Sequence, residues 1–189
     1  MRQSRRDLIG RGAAIATGLL TYAFDGGRIA LTPAEAHAAG MPYRTLDEPA
    51  VRCVNALGEA LLPGSTAAGL AEYLDHQLSG PPADSMLMIK YLRVPAPFTD
   101  FYLSGLRAAD ASARMQHGKA VAELDPAAAA HLAGQMSAGQ IPGWTGPPAA
   151  AFFFVLRSDA IDVAYGTQTG FQKLGVPYMA HIAPPTRWG

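Results

Sequence analysis

Asp47-Glu48-Pro49-Ala50-Val51-Arg52-Cys53-Val54-Asn55-Ala56-Leu57-Gly58-Glu59-Ala60-Leu61-Leu62-Pro63-Gly64 carries the periodicity that decides the fold. Ala50, Val54, Leu57 and Leu61 step by four, three and four, which is one face of an α-helix. Thr45 followed by Glu48 reads as a capping box at its start, and Pro63-Gly64 ends it. The same grammar repeats along the chain. Ser65 or Thr66 can cap a second helix striped by Leu70, Leu74 and Leu78. Ser79-Gly80-Pro81-Pro82 breaks it, and Asp84 to Arg93 reads as a short third helix closed by Pro95 and Pro97. Thr99 can cap a longer helix with Tyr102, Leu103, Leu106, Ala109 and Ala113 inward and Gly118 as its stop. Asp125-Pro126 is an N-cap with proline at the first helical position, where the missing N–H costs nothing. That helix runs through Leu132 and Met136 towards Gly139. Gln140 to Pro148 is a loop holding Trp144. The next helix, with Phe152, Phe153, Phe154, Val155, Leu156, Ile161 and Val163, is apolar on nearly every side and so should be central or covered. From Tyr165 onward the chain is expected to be irregular. These segments predict an all-α single compact domain of about six helices with a Gly/Pro/aromatic C-terminal tail.

Upstream of this domain, Ser4-Arg5-Arg6-Asp7-Leu8-Ile9 has the form of a twin-arginine export signal, with Ser4, Arg5, Arg6, Leu8 and Ile9 in the motif. An apolar stretch from Gly12 to Phe24 follows, too short to span a bilayer, which needs roughly 20 residues. Asp25-Gly26-Gly27-Arg28 then makes a long polar region. Ala36-His37-Ala38 supplies small residues at Ala36 and Ala38 before a cleavage site. The expected division is therefore a signal peptide over residues 1–38 and a helical domain over residues 39–189. An ordinary secretory signal with a chance arginine pair is one alternative, and a retained N-terminal anchor is the other. Removing the leader's five arginines and three acidic residues leaves ten basic against twelve acidic residues. That balance provides no basic field for nucleic acid.

Cys53 is the single cysteine. No internal disulfide, cysteine-held iron–sulfur cluster or Cys-x-x-Cys-His haem attachment can be built from this chain alone. In an oxidising compartment Cys53 is either buried and inert or paired with another chain. Gly10-Arg11-Gly12 starts like a nucleotide fingerprint but lacks the third glycine and the preceding strand. His76, His117, His131 and His181 are scattered, and Asp75-His76 points to two helix faces. Asp47-Glu48 and Glu123/Asp125 sit at helix starts, where the helix dipole favours negative charge. Ser104-Gly105 and Ser137-Ala138-Gly139 make no nucleophile elbow. The tail places Tyr165, Phe171, Tyr178 and Trp188 among glycines and prolines. It is either tied onto its own domain or a strap for another subunit, since aromatics are enriched at interface hot spots.

These residues resemble the gluconate 2-dehydrogenase subunit 3 family, the small subunit of membrane-bound flavin-dependent sugar and alcohol dehydrogenases. The likeness runs through Glu59-Ala60-Leu61-Leu62-Pro63-Gly64, Ala71-Glu72-Tyr73-Leu74-Asp75-His76-Gln77-Leu78 and Tyr102-Leu103-Ser104-Gly105-Leu106. It continues through Asp110, Ala113-Arg114, His117-Gly118-Lys119 and Leu124-Asp125-Pro126. Asp162, Tyr165-Gly166, Gly170-Phe171 and Leu174-Gly175-Val176-Pro177 resemble the closing motif. Thr167-Gln168 stands where many members have Gly-Asn, and Phe171 where Trp is frequent.

The resemblance implies a non-catalytic subunit with no cofactor of its own. Its partners would be a large FAD-dependent subunit of the glucose–methanol–choline type and a multihaem cytochrome c subunit. It would ride the Tat machinery to the periplasm and sit at the inner membrane through the complex. Residues expected at subunit contacts are Cys53, Trp144, Tyr165, Gly166, Phe171, Gly175, Pro177, Tyr178 and Trp188. A free-standing periplasmic helical domain, binding a ligand or acting as a chaperone, is the alternative from another class.

Overall fold

The computed structural model describes residues 18–24 and 26–176. The export motif at residues 4–9 and the tail residues Pro177, Tyr178 and Trp188 lie outside the described residues. The architecture is mostly helical, as the periodicity predicts. A hairpin of β1 (Leu20–Phe24) and β2 (Gly27–Leu31) leads into α1 (Pro33–Ala38). Then come α2 (Glu48–Leu61), α3 (Leu70–Ser79), a 3₁₀ turn (Pro82–Asp84), α4 (Met88–Tyr91) and α5 (Thr99–His117). A second 3₁₀ turn (Val121–Glu123) precedes α6 (Pro126–Ala138), α7 (Ala149–Tyr165) and α8 (Gln168–Lys173). The strands pair antiparallel with Leu20 opposite Leu31 and Phe24 opposite Gly27.

α2 is the helix its stripe announces. Val54 and Leu57 are fully buried, and the helix packs against α3, α5, α6 and α7. Its cap differs from expectation. The Asp47 side chain, not Thr45, accepts the Ala50 N–H at 2.9 Å. The Thr45 N–H instead donates to Asp75 on α3. α3 also starts later than Ser65 or Thr66. Ser65 is buried, and the Glu59 carboxyl takes the Gly64 and Thr66 N–H groups at 2.8 Å each, which winds residues 64–69 into turns. The helix opens at Gly69, whose φ is +84°. A Cβ there would lie 2.1 Å from the Pro33 carbonyl oxygen, so only glycine admits α1 at that point.

The expected helix from Asp84 to Arg93 is broken in two. The Gln77 side chain accepts the Met86 N–H at 2.8 Å, and Asp159 accepts the Met88 N–H at 2.8 Å. These distant acceptors hold Ser85 and Leu87 extended, which local propensity could not reveal. Thr99 is the first residue of α5 rather than its cap, and Gly118 stops that helix in the left-handed conformation. Asp125 caps α6 through the Ala128 N–H, and Gly139 ends it, both as read from sequence.

α7 is central on one side only. Phe152, Val155, Leu156 and Ala160 are fully buried, whereas Phe154 is 50% exposed. The chain after Tyr165 is not wholly irregular. Thr167 accepts the Gly170 N–H at 3.0 Å and caps α8. The hairpin and α1 were not expected at all, because they fall in the stretch read as a leader.

Candidate functional site

α3 presents three polar residues from one buried stretch, and each is bound. Asp75 takes backbone N–H groups from the segment entering α2. Its Oδ1 accepts from Thr45 at 2.7 Å and Leu46 at 2.8 Å, and its Oδ2 accepts from Arg44 at 2.9 Å. Glu72 is 4% exposed. Its Oε1 accepts the Tyr43 hydroxyl at 2.6 Å and lies 2.9 Å from His37 Nδ1. His76 Nε2 is 3.1 Å from the Thr21 carbonyl, which can only accept, so Nε2 carries the proton. The Tyr22 ring packs on the His76 ring with centroids 5.1 Å apart. Burial pushes the His76 pKa below its ordinary value. It pushes that of the Tyr22 phenol up, with the nearby Glu72 and Asp75 adding to the rise.

The sequence reading of Asp75-His76 as a pair on two faces is correct: one holds residues 44–46, the other the hairpin. Sequence reasoning missed the structural part played by Glu72 and Asp75. Their i,i+3 spacing, beside the Leu70/Leu74/Leu78 stripe, was the available signal.

A third buried carboxyl is Asp159 on α7. Tyr102 donates its hydroxyl to Oδ2 at 2.5 Å, and the Met88 N–H donates to Oδ1. Burial raises its pKa from 3.8 to about 7, against the opposing pull of those two hydrogen bonds. Glu72 through Oε1, Asp75 and Asp159 thus accept from Tyr43, from Tyr102 and from backbone N–H groups, while Glu72 Oε2 is buried without a hydrogen-bond partner. Their chemistry is that of fastening segments together. Among the described residues, no group of three or more His, Cys, Asp and Glu could hold a metal ion. No helix there is long and apolar enough to cross a membrane.

The residues expected at subunit contacts fall into three places. Cys53 is 4% exposed at the floor of a cleft of about 280 Å³ between the start of α2 and α5. Its thiol donates to the Leu106 carbonyl at 3.6 Å, and burial raises its pKa far above the ordinary thiol range. Trp144 lies half-buried against Phe152, with centroids 5.9 Å apart, and its indole N–H donates to the Pro147 carbonyl. Tyr165 and Gly166 end α7, Phe171 lies on α8, and Gly175 follows it with φ +65°. Gly166 lines a groove of about 420 Å³ with Leu20, Pro33, Tyr73, Met86, Tyr91 and Asp162. The expected signal-cleavage residues Ala36 and Ala38 are in α1, with Ala36 fully buried.

Large apolar side chains stand in solvent: Tyr91 at the end of α4 and Leu92 after it, Phe154 on α7, and Leu174 and Val176 after α8. A family model described as gluconate 2-dehydrogenase subunit 3 matches residues 48–181. The match takes in α2 through α8, and the hairpin and α1 precede it. No curated protein and no solved structure matches the chain.

Proposed function

The chain belongs to the gluconate 2-dehydrogenase subunit 3 family, and from that premise we propose that it is the non-catalytic small subunit of a periplasmic FAD-dependent sugar or polyol dehydrogenase. Its large partner is a flavoprotein of the glucose–methanol–choline type, and a multihaem cytochrome c completes the complex at the inner membrane. The flavoprotein folds around FAD in the cytoplasm, binds this subunit and leaves on the twin-arginine signal. The physical logic is that a buried cofactor has to be enclosed before export, so the cargo crosses folded.

The observation that carries this reading is the family match over residues 48–181. Two further features support it. Each buried carboxyl of α3 and α7 accepts internal hydrogen bonds through at least one oxygen, which suits a scaffold. Tyr91, Phe154 and Leu174 leave apolar surface uncovered, which suits a chain with a neighbour. The FAD and the haem belong to the partners, so this chain's work is to bind, stabilise and address. Affinity isolation of the subunit from native membranes tests this. A yellow flavoprotein and a c-type cytochrome are expected to come with it. Isolation as a lone monomer would favour a free-standing helical domain.

A further inference from the structure

We propose that residues 18–41 are a permanent strap on the folded domain, and that the peptide bond after Ala38 stays uncut in the exported protein. The small-x-small pattern Ala36-His37-Ala38 invites a cut at that bond. The structure anchors the residues around that bond in the core, although Ala38 and Ala39 themselves are exposed. Leu20 and Tyr22 from β1, Ala36 from α1 and Met41 just beyond it are all buried. A leader destined for removal has no reason to supply core side chains, since its departure would open that surface to water.

The polar contacts agree. The Thr21 carbonyl meets His76, Tyr22 packs on the same ring, and His37 Nδ1 meets the buried Glu72. The body is also shaped for the strap, because Gly69 leaves room for the Pro33 carbonyl where a side chain would collide with it. Family resemblance begins only at residue 48, so the match does not assign these residues a role.

α1 further resists a peptidase. Proteases cut exposed segments that can open locally. Here Thr32 and Glu35 cap α1 reciprocally: the Thr32 N–H donates to Glu35 Oε2 at 2.7 Å, and the Glu35 N–H donates to Thr32 Oγ1 at 3.2 Å. Ala36, two residues ahead of the bond, is fully buried. The bond itself is exposed at the end of α1, but a peptidase that needs residues 36–38 extended has to unwind the last turn and draw Ala36 from the core. This inference rests on folded export, since a chain threaded unfolded would meet the peptidase before α1 exists.

The intact mass of the subunit, purified from the periplasm with its complex, is the direct test. The expected product begins at or before Gly18. A product beginning at Ala39 overturns the proposal while leaving the export route standing. Failure of the export reading shows separately, as undiminished periplasmic protein from an Arg5→Lys/Arg6→Lys chain. A second measurement compares thermal unfolding of the purified subunit with and without Tyr22→Ala. The strap predicts a midpoint lower by about 5–10 °C. An unchanged midpoint means that residue 22 is no longer in the protein, and the proposal fails.

Discussion

Replacing Asp75 with alanine removes one acceptor and strands the backbone N–H groups of Arg44, Thr45 and Leu46. A buried donor left without a partner costs about 1–3 kcal/mol. Asp75→Ala should therefore lower stability by about 3 kcal/mol or more, read from the urea midpoint. Asp75→Asn keeps one carbonyl oxygen and should recover part of that loss. Equal, small effects for both variants would show that the segment into α2 is held by something else.

Asp159 makes a prediction about pH. In the unfolded chain its carboxyl gives up a proton near the ordinary 3.8, and in the folded protein at about 7. Between those values the native state holds a proton that the unfolded state lacks, so stability falls as pH rises through this window. The contribution is whole below pH 4 and lost above 7, with a ceiling of roughly 4 kcal/mol. Asp159→Asn abolishes the titration. Urea midpoints from pH 4 to 8 should therefore fall in the parent relative to the variant. Parallel curves would remove Asp159 as the cause. Neither residue's part was legible in the sequence, because each is defined by partners 29 to 71 positions away.

At the scale of elements, two glycines inside helices should respond in opposite directions. A Cβ on Gly105 of α5 would lie 2.3 Å from the ring of Phe152 on α7, so these helices pack closely there. Gly105→Ala gains about 1 kcal/mol of helix propensity but drives a fully buried ring out of place. The net effect should be a loss of roughly 1–3 kcal/mol. Gly134 in α6 has nothing within 4 Å of its Cβ position. Gly134→Ala should stabilise by about 0.5–1 kcal/mol. Guanidinium unfolding of both variants checks the pair, and a gain at Gly105 would contradict the packing.

Elements were legible where local signals and tertiary demand coincide. Asp125-Pro126 and Gly139 bracket α6 as read, and the α2 stripe is the buried face. Caps failed where a distant group competed. Thr45 lost its role to Asp47 because Asp75 claimed its N–H, and Asp84 to Arg93 split because Gln77 and Asp159 bound its backbone. Among the expected contact residues, Cys53 was legible as a buried thiol, since it sits at the edge of an apolar stripe.

At the scale of the molecule, the all-α class followed from repeated 3.6-residue patterns, and among the described residues eight α-helices stand where about six were expected. The two additions, α1 and α8, occupy the stretches read as leader and as irregular tail. Both are six residues long, too short for periodicity to announce. The hairpin escaped notice because Leu20 to Phe24 fall in the apolar stretch of the leader pattern and Gly27 and Arg28 in its polar region. The functional surface was legible only as a resemblance, since docking surfaces carry no motif of their own.

The central claim is that this subunit delivers a folded flavoprotein to the periplasm. Fractionation of cells carrying Arg5→Lys/Arg6→Lys tests it most directly, with the large subunit followed by its FAD absorbance and by immunoblot. The account predicts that both subunits remain in the cytoplasm, with the flavoprotein holding its FAD. A large subunit that still reaches the periplasm in normal amounts would contradict it.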